Sequence, residues 1–274
     1  HMDHSREPRK GFDHWISFSG QGKYNGNDLN IDGKEIKNPG YITDELTKYA
    51  VEFIDKSSDQ PFCLYLSHKA VHQPFTPSKR DKDLYKGEVL SNKESFKYHG
   101  KNKPLWQSIH RTREDLYRLR YNDSYRPNGI INFRPYSEEN GAHPNTKDYL
   151  RSIVAVDDGI GKLYEILEKK GLLENTAIIF AGDNGYMLGE HGRGDKRVHY
   201  NESMRVPIIM RLPKSIPVKS TLDQIILNID IAPTILDMAG VDIPKIMQGK
   251  SILPLFNADQ EWRKSFLFTY WRDL

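Results

Sequence analysis

The feature that most narrows the possible folds is a junction. The apolar run Thr176-Ala-Ile-Ile-Phe-Ala181 stops abruptly at Gly182-Asp-Asn-Gly185. An uninterrupted apolar run bounded by turn residues reads as a strand buried on both faces, which requires layers packed above and below it. Upstream lies a helical pattern over 146–170, with Leu150, Ile153, Val154, Ile160, Tyr164 and Leu167 on one face and Gly171 as terminator. Asp157 falls on that same face and reads as a carboxylate hydrogen-bonded at the helix edge.

The alternation continues in both directions. A helix is expected from Thr43, which can cap it, with Asp44 and Glu45 at its positive end and Leu46, Tyr49, Ala50, Phe53 and Ile54 on its apolar face. Gln60-Pro61 breaks that pattern, and Phe62 to Ser67 follows as a second buried strand that carries Cys63 as a core thiol. Further strands are expected at Pro207 to Arg211 and Gln224 to Leu227, and a helix begins near Asp230 and ends at Gly240. Strands alternating with helices give an α/β fold with a mostly parallel central sheet and helices on both faces. Residues 76–146 lack comparable periodicity, apart from a helical stretch near 112–121, and read as a long loop-rich excursion within a single domain spanning 1–274.

Composition removes several classes of function. A net charge of +3, with 40 basic residues interspersed among 37 acidic ones, gives no electrostatic reason to bind nucleic acid. The eight Lys and Arg residues between Lys79 and Lys103 lie among four acidic residues and read as a solvated loop. No apolar run approaches the ~20 residues of a membrane span. One cysteine excludes an internal disulfide and a multi-cysteine metal site.

In an open α/β sheet, ligands gather where loops leave the carboxyl ends of strands. Asp183 and Asn184 leave one expected strand, and His72, in Ser67-His-Lys-Ala-Val-His-Gln-Pro74, follows another. A carboxylate beside an amide oxygen suits a hard divalent cation such as calcium, although Asp-Asn-Gly by itself is also a common turn.

Downstream come Gly189-Glu-His-Gly192, Lys196 and Tyr200-Asn-Glu-Ser-Met-Arg-Val-Pro207, and the whole series resembles the type I sulfatases of the alkaline phosphatase superfamily. Ala155-Val-Asp-Asp-Gly-Ile-Gly161, Gly171-Leu-Leu-Glu-Asn-Thr176 and Asp230-Ile-Ala-Pro-Thr-Ile-Leu-Asp237 are similar to scaffold phrases of the same family. The resemblance implies an alkaline phosphatase-like fold, incomplete here at both ends. It assigns Asp183 and Asn184 to calcium, Lys196 to the sulfate, and His72 to the leaving oxygen. Asn201 departs from the family's Tyr-Glu order by one place. Arg6-Glu-Pro-Arg-Lys-Gly-Phe-Asp13 is similar to the segment that follows a catalytic histidine, so His1 is either that histidine or a cloning remnant with Met2.

The family's nucleophile is a formylglycine made within Cys-x-Pro-x-Arg or Ser-x-Pro-x-Arg, and no such signature occurs among these 274 residues. The expectation is a fragment that is inactive by itself. Its parent would hydrolyse a sulfate ester, of a sulfated carbohydrate in preference to an aryl sulfate, in the periplasm, outside the cell or in the lysosome. Two rivals stand beside this reading. A phosphodiesterase or phosphonate hydrolase of the same superfamily would usually present Asp-His, not Asp-Asn, at the second metal position. A non-catalytic fragment could bind anionic glycans through its basic loops.

Overall fold

The computed structural model describes residues 7–57, 59–90, 146–192, 194–257 and 260–269. They form two compact units, one from 7–90 with 146–173 and the other from 174–269. The rest of the expected excursion, including the helical stretch near 112–121, lies outside the described residues, as does His1.

The first unit opens with a three-stranded antiparallel meander of β1 (Ile16–Ser17), β2 (Leu29–Ile31) and β3 (Lys34–Ile36). Asp32 and Gly33 join β2 to β3 with φ of 49° and 90°, the two left-handed residues that a type I′ hairpin demands. The Asp32 carboxylate then accepts from the Trp15 N–H at 2.7 Å and pairs with His14 Nδ1 at 2.6 Å, tying the turn to the strand opposite. Tyr24, Leu29, Ile42 and Leu46 make the buried cluster beneath the meander. A fully buried side chain such as Leu29 or Ile42 contributes about 1.5–3 kcal/mol.

Helix α1 (Ile42–Lys56) starts after Tyr41, so Thr43 is not its cap. Thr43 is fully buried in the first turn instead, and its carbonyl accepts from Thr47 Oγ1 at 2.8 Å. Asp44 and Glu45 occupy the first turn as expected. Helix α2 (Thr146–Lys169) has the expected length, but its buried face is Ser152, Ala155, Val156, Gly159, Ile166 and Leu167. Ile153 and Asp157 are exposed, which corrects the face read from the large apolar residues. The cause is close helix packing: a Cβ at Gly159 would lie 2.6 Å from Thr47 Oγ1 on α1. At Gly171 (φ 68°) the chain leaves α2 through paired bonds, Gly171 N–H to Glu168 O and Leu172 N–H to Leu167 O, the arrangement of a Schellman stop.

Residues 62–67, expected as a strand, alternate in exposure but form no ladder among the described residues. Cys63 lies on their exposed side, not in the core.

In the second unit β4 (Ile178–Ala181) pairs with β7 (Ile208–Arg211), Ile178 opposite Arg211 and Ala181 opposite Ile208. This pair is antiparallel, as is every strand pair among the described residues, where parallel pairing was expected. A parallel pair is usually joined through a crossover helix. The connection here carries only the hairpin β5 (Met187–Leu188) and β6 (Gly194–Asp195) and the single turn α3 (Asn201–Met204). The expected strand at 224–227 is irregular, and the Ile225 carbonyl accepts from Trp262 Nε1 at 2.7 Å.

Asp230 begins α4 (Ile231–Met238) and is completely buried. Its carboxylate accepts from the backbone N–H groups of Leu227 (2.8 Å) and Lys250 (2.9 Å) and is forked by Arg263. Burial alone would raise its pKa, but Arg263 and the two amides hold it below the ordinary value. No described helix is long and apolar enough to cross a membrane.

Candidate active site

The Asp-Asn-Gly turn is built by close backbone contact. As β4 ends, the Gly182 N–H donates to Pro207 O at 3.1 Å, and the Gly185 N–H donates to Ser203 O at 2.9 Å. A Cβ at Gly185 would sit 2.1 Å from Glu202 O, so no other residue fits there without moving α3. Between these two anchors Asp183 and Asn184 stand exposed.

Their side chains are locally oriented. Asp183 Oδ1 accepts from the Asn184 N–H at 2.8 Å, and Asn184 Nδ2 donates to Gly185 O at 2.8 Å. That second bond turns Asn184 Oδ1 outward, where it accepts from Lys196 Nζ at 2.9 Å. Three of the expected site residues, Asp183, Asn184 and Lys196, are thus brought together in one unit. The loop that carries Lys196 runs from β6 to α3. Beside it His191, at φ 52°, stacks on Tyr200 with ring centroids 4.0 Å apart and brings Nε2 to 3.4 Å from Glu202. Glu190 is buried, and its carboxylate accepts from the Leu188 N–H at 2.7 Å.

The donor set at this turn consists of hard oxygens, a carboxylate and an amide carbonyl, which fits calcium or magnesium better than a soft metal. It supplies two ligands of the six to eight that calcium takes. No group of three or more His, Cys, Asp or Glu residues suited to a metal occurs among the described residues.

His72 belongs to the first unit. Its Nδ1 lies 2.7 Å from Gln73 O; a carbonyl can only accept, so Nδ1 carries the proton and Nε2 is left to exchange one. The His72 carbonyl accepts from Tyr24 Oη at 2.8 Å, and the His72 N–H donates to Lys69 O at 2.8 Å.

Two neighbours carried no assigned role in the sequence. Lys69 is only 6% exposed, its Nζ lying 4.9 Å from the Tyr24 ring centre and 3.4 Å from Gln73 O. Burial lowers its pKa. His68 Nδ1 is buried without a hydrogen-bond partner among the described residues, and burial, opposed by the charge of Asp44, brings the imidazole pKa down to about 4. The only sequence signal was the position of these residues in the phrase ending at His72.

The sulfatase family model matches residues 1–241. The chain belongs to the sulfatase family. It is 33% identical to the N-acetylglucosamine-6-O-sulfatase of Bacteroides thetaiotaomicron over 97% of its own length and 56% of that protein. It is 30% identical to the human N-acetylglucosamine-6-sulfatase, covering 95% of this chain and 45% of that one. A protein solved in complex with its substrate D-glucosamine-2-N,6-O-disulfate superposes with a TM-score of 0.80 at 31% identity, over 97% of this chain and 63% of that chain. This sulfatase chain therefore spans about half the length of the curated relatives it matches. The mixed helix and sheet fold expected from the resemblance is that of these sulfatases, and the family is one of sulfuric ester hydrolases.

Proposed function

We propose that this chain is the part of a carbohydrate 6-O-sulfatase that carries the second half of its metal site and two of its sulfate-handling side chains. The observation that carries the reading is the contact of Lys196 with Asn184 Oδ1 beside Asp183, which sets a cation for the sulfate next to oxygen donors for a metal. A preference for an N-acetylglucosamine 6-sulfate group is supported by the names of the relatives with 30–33% identity.

In this reading Asp183 and Asn184 hold calcium, which supplies positive charge against the sulfate. Lys196 neutralises sulfate oxygens at the rim of the same turn. As the imidazolium, with Nδ1–H committed to Gln73 O, His72 presents Nε2–H to the leaving oxygen, gives it that proton as the bond to sulfur breaks, and is left as the neutral Nδ1–H tautomer. If His1 is native, it is a further candidate for the sulfate. The nucleophile, a formylglycine, is not encoded in these 274 residues, so we expect no turnover from them alone. A periplasmic, extracellular or lysosomal location goes with this reading.

The test is an assay of the complete sulfatase domain containing this chain, offered N-acetylglucosamine 6-sulfate and a phosphonate monoester side by side. Release of inorganic sulfate from the sugar is expected. Preferential cleavage of the phosphonate would transfer the chain to the hydrolases of that class, and glycan binding without release from either would leave a binding module.

A further inference from the structure

Lys69 is buried, yet among the described residues no carboxylate pairs with it. A buried ammonium without an opposite charge is costly, and such groups are kept for a reason other than stability. Its environment shows what it touches. The Tyr24 ring receives the cation at 4.9 Å, a cation–π geometry, and the Gln73 carbonyl receives a long hydrogen bond of 3.4 Å. That same carbonyl accepts the Nδ1–H of His72 at 2.7 Å. Tyr24 in turn donates its hydroxyl to the His72 carbonyl at 2.8 Å, while the His72 N–H donates to Lys69 O.

Two side chains therefore hold both ends of the His72 residue: Tyr24 its own carbonyl, and Lys69 the carbonyl that its ring addresses. We propose that Lys69 and Tyr24 are positioning residues for His72, a cation–π pair that fixes the Gln73 and His72 carbonyls so that the imidazole keeps its proton on Nδ1 and presents Nε2. The inference rests on the reading of His72 as the proton donor for its purpose, but not for its test. Held as Nδ1–H, the neutral ring takes up its second proton at Nε2 and gives it back from that one atom, whereas a mixed population does so only in part.

The measurement is long-range ¹H–¹⁵N NMR of the histidine rings in the 274-residue chain, with the His72 signals identified by their loss in His72→Gln. The unmodified chain is expected to show His72 as the Nδ1–H tautomer. Lys69→Met keeps the aliphatic stem and removes the cation. Tyr24→Phe keeps the ring and removes the hydroxyl. Both are expected to retain the fold by circular dichroism while His72 shifts to a mixture of tautomers.

A His72 that remains purely Nδ1–H in both folded variants overturns the proposal, as does an unmodified chain in which Nε2 carries the proton. Unfolding in both variants would also overturn it, because the pair would then be structural; if only one unfolds, the other decides. Should the tautomer change as expected while His72→Gln leaves sulfate release from the complete domain untouched, the positioning stands and the catalytic reading of His72 fails.

Discussion

In the second unit the buried carboxylate of Asp230 meets two backbone amides and a forked guanidinium, whereas in the first unit the buried ammonium of Lys69 meets only a carbonyl and an aromatic ring. Beside Lys69, the buried Nδ1 of His68 has no hydrogen-bond partner among the described residues. Asp230 is a group the fold has compensated in full: it starts α4 and ties the segments at 227, 250 and 263 to that point. Lys69 and His68 are compensated only in part, and they adjoin the loop that holds His72. A buried charge with every partner in place speaks for architecture, while one left short speaks for a task.

The largest effect should come from breaking the compensated site. Arg263→Ala would leave the Asp230 carboxylate buried with part of its compensation gone, costing about 3–5 kcal/mol. Thermal melting should fall by on the order of 10 °C. A change of a degree or two would mean that Arg263 does not anchor Asp230.

The next effect concerns pH. With its folded pKa lowered to about 4, His68 binds its proton more readily in the unfolded chain. Its contribution is therefore full above its ordinary value near 6.5 and is lost as pH falls from there toward 4, by at most about 3 kcal/mol. Asp230, also lowered, loses its contribution only as pH drops below the ordinary carboxylate value. Denaturant melts between pH 7 and 4 should show the His68 loss, and His68→Gln should flatten it. An unchanged slope in that variant would assign the acid sensitivity to other groups.

A smaller effect separates the glycines. Gly185→Ala collides with backbone and Gly159→Ala with a side chain, each costing about 1–3 kcal/mol. Adding Thr47→Ala should recover part of the Gly159 loss in a double-mutant cycle. The absence of any recovery would contradict the close contact of α1 and α2. The smallest effect sharpens the comparison most. Lys69→Met should leave the melting midpoint within about 1 kcal/mol of the unmodified chain, or raise it, because an apolar group replaces an uncompensated charge. A loss of several kcal/mol would make Lys69 a structural residue like Asp230.

The sequence made the helices at 42–56 and 146–169, the strands at 178–181 and 208–211, and the polar turn between those strands legible, because periodicity and Gly stops are local signals. The buried face of α2 was not. Ser152, Ala155 and Gly159 win the contact by being small, and a reading based on large apolar residues turns the helix the wrong way. The direction of β7 was also hidden, since it depends on the connection between the strands. At the candidate site, Asp183, Asn184 and Lys196 could be named only through the family resemblance that the order of the motifs carries. The reason for Gly185, the approach of Glu202 O, could not. Lys69 stayed invisible because lysine in a polar phrase reads as solvated until its burial is known.

The central claim is that the exposed Asp183–Asn184 turn is functional and makes little contribution to stability. It is tested most directly by Asp183→Ala in the complete sulfatase domain, with sulfate release from N-acetylglucosamine 6-sulfate and thermal melting measured on one preparation in calcium-free and calcium-containing buffer. We predict that calcium-dependent release falls at least about 100-fold, while the calcium-free melt moves by no more than ~0.5 kcal/mol. Sulfate release unchanged by Asp183→Ala would remove this turn from the metal site and contradict the account.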